Sequence, residues 1–139
     1  MSNNKQIKNF EKDFAPYEEA LALKEIGFDE PCFGYWYTEQ EDCKKVDVQI
    51  STVDFLGDEP DYILAPTYSQ AFRWFREEYD MSHSINEDWD NGHLLGYEYV
   101  ISEQEGVTVS KTYPTYEEAE LECLKKLIGI VKTYGGGEQ

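Results

Sequence analysis

Basic residues are scarce in this 139-residue chain: 12 Lys and Arg stand against 29 Asp and Glu, a net charge of −17. Nucleic acid and anionic lipid are held by clustered Lys and Arg, so the deficit argues against direct binding to either. No window approaches the roughly 18 consecutive apolar residues of a membrane helix, and the opening MSNNKQIKNF has no apolar run of the signal-peptide kind. We therefore expect a soluble, cytoplasmic protein with no membrane partner. Cysteine is limited to Cys32, Cys43 and Cys123, an odd count without a CxxC pair, which points to a reducing compartment instead of a disulfide framework.

Acid alone does not make the chain disordered, because 40% of its residues are apolar and 15% are aromatic. The length suits a single domain over 1–139, with an ordered part of about 10–134. Three segments, Pro16-Tyr17-Glu18-Glu19-Ala20, Pro66-Thr67-Tyr68-Ser69-Gln70-Ala71 and Pro114-Thr115-Tyr116-Glu117-Glu118-Ala119, read as helix starts. In the last two, Thr67 and Thr115 are placed to cap the backbone, with Gln70 and Glu118 placed to return the bond. The first helix should run over about 17–26 and stop at Gly27. The second carries the stripe Tyr68, Ala71, Phe72, Phe75 and Tyr79, with Trp74 off it, and the third runs over about 115–132 with Cys123 on its apolar face.

Between the helices the period drops to two, as in half-buried strands. Phe33, Tyr35 and Tyr37 alternate with Gly34 and Trp36, and Val46, Val48 and Ile50 alternate with Asp47 and Gln49. Leu95, Tyr97, Tyr99 and Ile101 form a third strand, joined through Glu103-Gln104-Glu105-Gly106 to a fourth at Val107 and Val109. The order α-β-β-α-β-β-α implies an α+β fold with one antiparallel sheet of about four strands, and a β-β-α pseudo-repeat is compatible with the spacing of the helix starts. Gly57-Asp58-Glu59-Pro60-Asp61 and the stretch from Ser82 to Gly92 read as exposed acidic loops. The first ten residues and Gly135-Gly136-Gly137 read as frayed ends.

No residue constellation announces a reaction. The loop from Asn86 to Gly92 resembles a calcium loop in its oxygens but has Asn91 at the sixth position, where glycine is required, and Tyr97 at the twelfth, where a bidentate Glu is required. His83, His93, Cys32 and Cys43 lack the spacing of zinc ligand pairs, and no nucleophile turn surrounds Cys43. The chain offers no phosphate-cradling glycine loop, so we expect neither metal nor cofactor. Two carboxylate pairs, Glu87 with Asp90 and Glu77 with Asp80, are the acid–base candidates for a small hydrolase.

The 21 aromatic rings (3 Trp, 11 Tyr, 7 Phe) exceed what a core of this size needs. Rings that reach the surface beside carboxylates make efficient protein contacts. Tyr35, Trp36, Tyr37, Trp74 and Trp89 are the candidate contact residues, against the alternative that Trp36 and Trp74 pack between sheet and helix.

The strings FAPYEEALALKEIGFDEPCFGY, PTYSQAFRWFREEY and KTYPTYEEAELECLKKLI resemble a group of small, uncharacterised acidic proteins encoded by phages, prophages and mobile elements of Bacteroides-type gut bacteria. The resemblance implies a cytoplasmic accessory protein of a mobile element inside a bacterial host cell, and it assigns no functional residue. We expect a non-enzymatic module that binds another protein, such as a basic host protein, through aromatics in an acidic surface. The alternatives are a DNA-mimicking inhibitor of a host nucleic-acid-binding protein and the carboxylate-pair hydrolase. Self-association through an exposed edge strand is also open.

Overall fold

The computed structural model describes residues 12–40, 43–53 and 62–138, with side chains for 12–37 and 62–134. The described elements are α1 (Tyr17–Glu25), β1 (Cys32–Gln40), β2 (Cys43–Val53), β3 (Tyr62–Ala65), α2 (Tyr68–Tyr79), β4 (Ser82–Asp90), β5 (His93–Glu103), β6 (Gly106–Val109) and α3 (Tyr116–Glu138). The fold is α+β and its strand pairings are antiparallel, as the periodicity indicates. It has two more strands than the periodicity marks, and they form two three-stranded sheets, β2-β1-β3 and β4-β5-β6, in place of one sheet of about four. A two-stranded hairpin is marginal in water, and each hairpin here is completed by its own third strand. The chain divides into two compact units, Met1–Ala71 and Phe72–Gln139, with α2 running across the boundary. The expected loop at 57–61 and the first ten residues lie outside the described residues.

In the first unit, α1 follows Pro16, whose side chain makes no cap bond. It closes where periodicity places the stop: Gly27 N–H donates to the Lys24 carbonyl at 3.1 Å and Phe28 N–H to the Leu23 carbonyl at 2.9 Å, a Schellman pair. Cys32, Gly34 and Trp36 of β1 turn inward, and Trp36 packs in a core with Phe14, Ala20, Ile63 and Ala65. Its indole N–H donates to the Ala15 carbonyl at 2.7 Å, which satisfies the one polar atom that burial would strand. At the start of α2 the Thr67 hydroxyl accepts from Gln70 N–H at 3.1 Å, the expected cap. The Gln70 side chain does not return the bond to the cap: it donates to the Pro31 carbonyl at 2.7 Å and pins the segment that leads into β1.

The second unit buries Phe72, Trp74, Phe75, Met81, Tyr99, Ile101, Ala119, Cys123, Leu124, Leu127, Ile128 and Val131, with α3 lying on β5 and to a lesser extent on β4. Thr115 caps α3 by accepting from Glu118 N–H at 3.1 Å. The helix continues to Glu138, through the glycines expected to fray. Ser82 to Asp90 is a strand and not a loop. His83 and Ile85 are half-buried while Ser82, Ser84 and Asn86 are exposed, so a period of two is present in residues too polar to advertise it. Asn91 and Gly92 form the two-residue turn, both at positive φ (51° and 81°), and pair Asp90 with His93. Beyond a register shift between Asp88 and Trp89, β5 pairs β4 on one side and β6 on the other. The two sheets are wired differently: the central strand is the first of its three in one unit and the second in the other. The units therefore share the order β-β-β-α without sharing a topology.

Two predictions follow from the second unit's backbone and core. Gly96 sits at φ 152°, and a Cβ there would lie 2.3 Å from the Tyr113 carbonyl oxygen, whereas a Cβ on Gly92 meets nothing within 4 Å. Gly92→Ala should cost about 1 kcal/mol from conformation alone, and Gly96→Ala about 2–3 kcal/mol because the collision is added. Urea titration compares them, and equal costs would contradict the close approach. His83 stacks on Phe72 (3.7 Å between ring centres, 21° between planes). Burial first, and then the Arg76 charge, lower its pKa to about 4. The unfolded chain therefore takes up the proton first, so stability should be full above about pH 6.5 and fall as pH drops from there toward about 4. His83→Gln should flatten that window of the thermal-midpoint profile, and an unchanged slope would contradict the assignment.

Candidate functional site

The five candidate aromatics divide by exposure. Trp36 is 8% exposed and Trp74 4%, so both are core residues and not contact residues. Periodicity places Trp74 off the stripe of α2, but the ring lies edge-on to Phe75 (5.1 Å) and Tyr79 (5.4 Å), which widens the buried arc of that helix. Tyr35 and Tyr37 are half-buried on the face of β1 opposite Trp36, where Tyr62 joins them. The three rings form one cluster, with Tyr62 edge-on to Tyr35 at 5.4 Å and tilted to Tyr37 at 6.3 Å. Trp89 is 55% exposed.

Trp89 stands near the end of β4, two residues before the Asn91-Gly92 turn. Its indole N–H donates to the Glu87 carboxylate at 2.9 Å, and residues two apart on a strand share a face. Register sets Leu94 opposite Trp89 and Tyr97 opposite Glu87. Tyr97 meets Tyr116 edge-on at 5.8 Å. Leu94, near the tip of the hairpin, and Tyr116, in the first turn of α3, are 42% and 43% exposed. Periodicity accounts for Tyr97 and Tyr116 only as packing residues. The signal that sets Tyr97 opposite Glu87 and Leu94 opposite Trp89 is the Asn-Gly turn, which fixes the register of two strands, one of which reads as loop.

Glu87 is exposed on the Trp89 face, while Asp88 and Asp90 turn to the opposite face of β4, where Asp88 accepts from the Thr112 hydroxyl at 2.5 Å. The Tyr116 phenol is pushed above its ordinary pKa by burial first and then by the Glu120 and Glu117 carboxylates. An indole face amid carboxylates attracts cations through the ring quadrupole as well as through ionic charge. Glu87 fixes the ring's rotation before anything binds.

The other candidates have ordinary surroundings. Glu77, Asp80, Glu87 and Asp90 are all exposed, and Glu87 is engaged by the Trp89 indole N–H. Cys32 and Cys123 are buried free thiols, each pushed up to about 12 by burial, far from nucleophilic at neutral pH. The Cys43 side chain lies outside the described residues. His83 is half-buried in the core and not solvent-facing, while His93 is exposed at the other end of the β4–β5 ladder. Among the described residues no three His, Cys, Asp or Glu gather as a metal site. An open groove is lined by Glu78, Tyr79, Asp80, Glu103, Gln104 and Tyr134. There Tyr134 donates to Glu103, and that bond pushes the phenol up to about 12. Among the described residues no helix is long and apolar enough to cross a membrane.

With two indoles buried and one exposed, acrylamide should quench a single emission component, and Trp89→Phe should remove it. Residual strong quenching in that variant would show that Trp36 or Trp74 is open to solvent. Set against known protein families, curated proteins and solved structures, the chain matches none.

Proposed function

We propose that this protein is a non-enzymatic binding module that docks a basic protein through the Trp89 surface, as an accessory protein of a phage or mobile element. The observation that carries the reading is Trp89 itself: a more than half-exposed indole, held by Glu87 and set opposite Leu94, in a chain of net charge −17. An indole presents a large apolar area, and a partner that covers it removes that area from water. Tryptophan in a preorganised setting is also the residue type that most often dominates an interface. The carboxylates select for Lys and Arg in the partner and speed their approach.

Capture from bacterial lysate on the immobilised full chain, with mass spectrometry of the bound proteins, provides the test. Trp89→Ala should lower recovery of the bound basic proteins about tenfold or more, the loss expected when a central aromatic anchor is truncated. Rising salt should release them. Equal capture by the wild type and the variant would overturn the reading. Competition with duplex DNA for the captured partner separates this reading from the DNA-mimic alternative, which requires the two to exclude each other.

A further inference from the structure

The second sheet leaves one long strand with an open side. Tyr97 exchanges backbone hydrogen bonds with Tyr113 (2.8 and 2.7 Å), and Ser110 N–H donates to the Tyr99 carbonyl at 3.0 Å, all on the β6 side of β5. Backbone groups alternate sides along a strand. Gly96, Glu98, Val100 and Ser102 therefore turn theirs toward β4, where they pair with Asp88, Asn86, Ser84 and Ser82. The intervening residues of β4, His83, Ile85 and Glu87, aim their N–H and C=O groups away from the sheet. Among the described residues nothing pairs with that side of β4.

Proteins guard such edges with short strands, lysine, proline or a covering segment. The opposite edge follows this practice: β6 has four residues and runs into Lys111. In contrast β4 has nine residues, Ser-His-Ser-Ile-Asn-Glu-Asp-Trp-Asp, with neither lysine nor proline. Its guard is acid alone, confined to Glu87, Asp88 and Asp90 beside Trp89, while residues 82–86 carry no carboxylate. A guard of one sign repels like strands and admits unlike ones. A second copy of this chain would bring −17 against −17, whereas a basic strand meets charge complementarity at the carboxylate end.

We infer that the partner docks by strand addition: an extended basic segment pairs its backbone with the outward groups of His83, Ile85 and Glu87 and sets the cationic side chains of one face against Glu87 and the Trp89 ring. This rests on the docking reading above and specifies how the same surface is used. Backbone pairing supplies affinity without sequence demands, and the carboxylates with Trp89 supply the selection.

The test follows amide hydrogen exchange in the full-length protein with the capped peptide Lys-Thr-Lys-Val-Lys-Thr-Lys, alongside Trp89 emission. Exchange at His83, Ile85 and Glu87 should slow about tenfold or more on binding, as amides entering a ladder do, while Ser84, Asn86 and Asp88, already paired with β5, stay as they are. A peptide N-methylated at alternate residues should lose the protection of the outward amides. Glu87→Pro, which removes an outward N–H but no β4–β5 bond, should lose it as well, whereas Glu87→Gln should retain it at His83 and Ile85 with weaker binding. A peptide that shifts Trp89 emission while the three amides exchange at their free rates would overturn strand addition and leave the Trp89 docking reading standing. A peptide that changes neither would bring down both. Sedimentation showing a dimer that protects these same amides would overturn the basic-segment assignment in favour of a second copy.

Discussion

Asn91 and Gly92, both at positive φ, bring Asp90 opposite His93, and the positions of the aromatic and acidic groups in the second unit descend from that pairing. Side chains alternate faces along a strand, so a slip of one residue would carry Trp89 away from Leu94 and Glu87 away from Tyr97. The register shift between Asp88 and Trp89 lets the turn geometry and the central ladder both be satisfied. At the shift, Gly96 gives the Tyr113 carbonyl room to approach, and the chain after β6 bonds back to β5. Packing against α3 then fixes which face is interior: Tyr99 and Ile101 go inward.

The same side-chain type has three settings here. Trp36 is interior because the Ala15 carbonyl takes its N–H. Trp74 is interior within an aromatic cluster of Phe75 and Tyr79 that broadens the buried side of α2. Trp89 finds its acceptor in Glu87 on its own strand, which holds the indole without burying it. Net charge supports this division of labour: 29 acidic residues keep the surface hydrated, so an exposed ring beside them remains open to cations instead of driving collapse onto itself.

Much of the architecture is legible in the sequence. Thr67 and Thr115 cap as their spacing indicates, Gly27 closes α1, and the Glu103-Gly106 connection is the hairpin that alternation implies. The misses have physical causes. Tyr62-Ile63-Leu64-Ala65 is too short for a period to register, and it becomes β3 through pairing with β1. Ser82 to Asp90 has only Ile85 and Trp89 as apolar residues on its inward face, so hydropathy reads a loop where the Asn-Gly turn specifies a strand. Trp74 shows that a narrow stripe underestimates how far a large ring reaches. Of the candidate site, composition signals surplus rings and Trp89 by residue type, while Leu94 comes opposite Trp89 through register, a property of the paired strands that hydropathy along one strand does not contain.

The central claim is that one indole of three meets the partner. It can be followed directly in the side-chain N–H resonances of a 15N-labelled sample titrated with a captured basic protein. The account requires the Trp89 signal to shift or broaden while those of Trp36 and Trp74 hold their positions. A Trp89 signal that stays fixed through saturation, with a buried indole moving in its place, would contradict it.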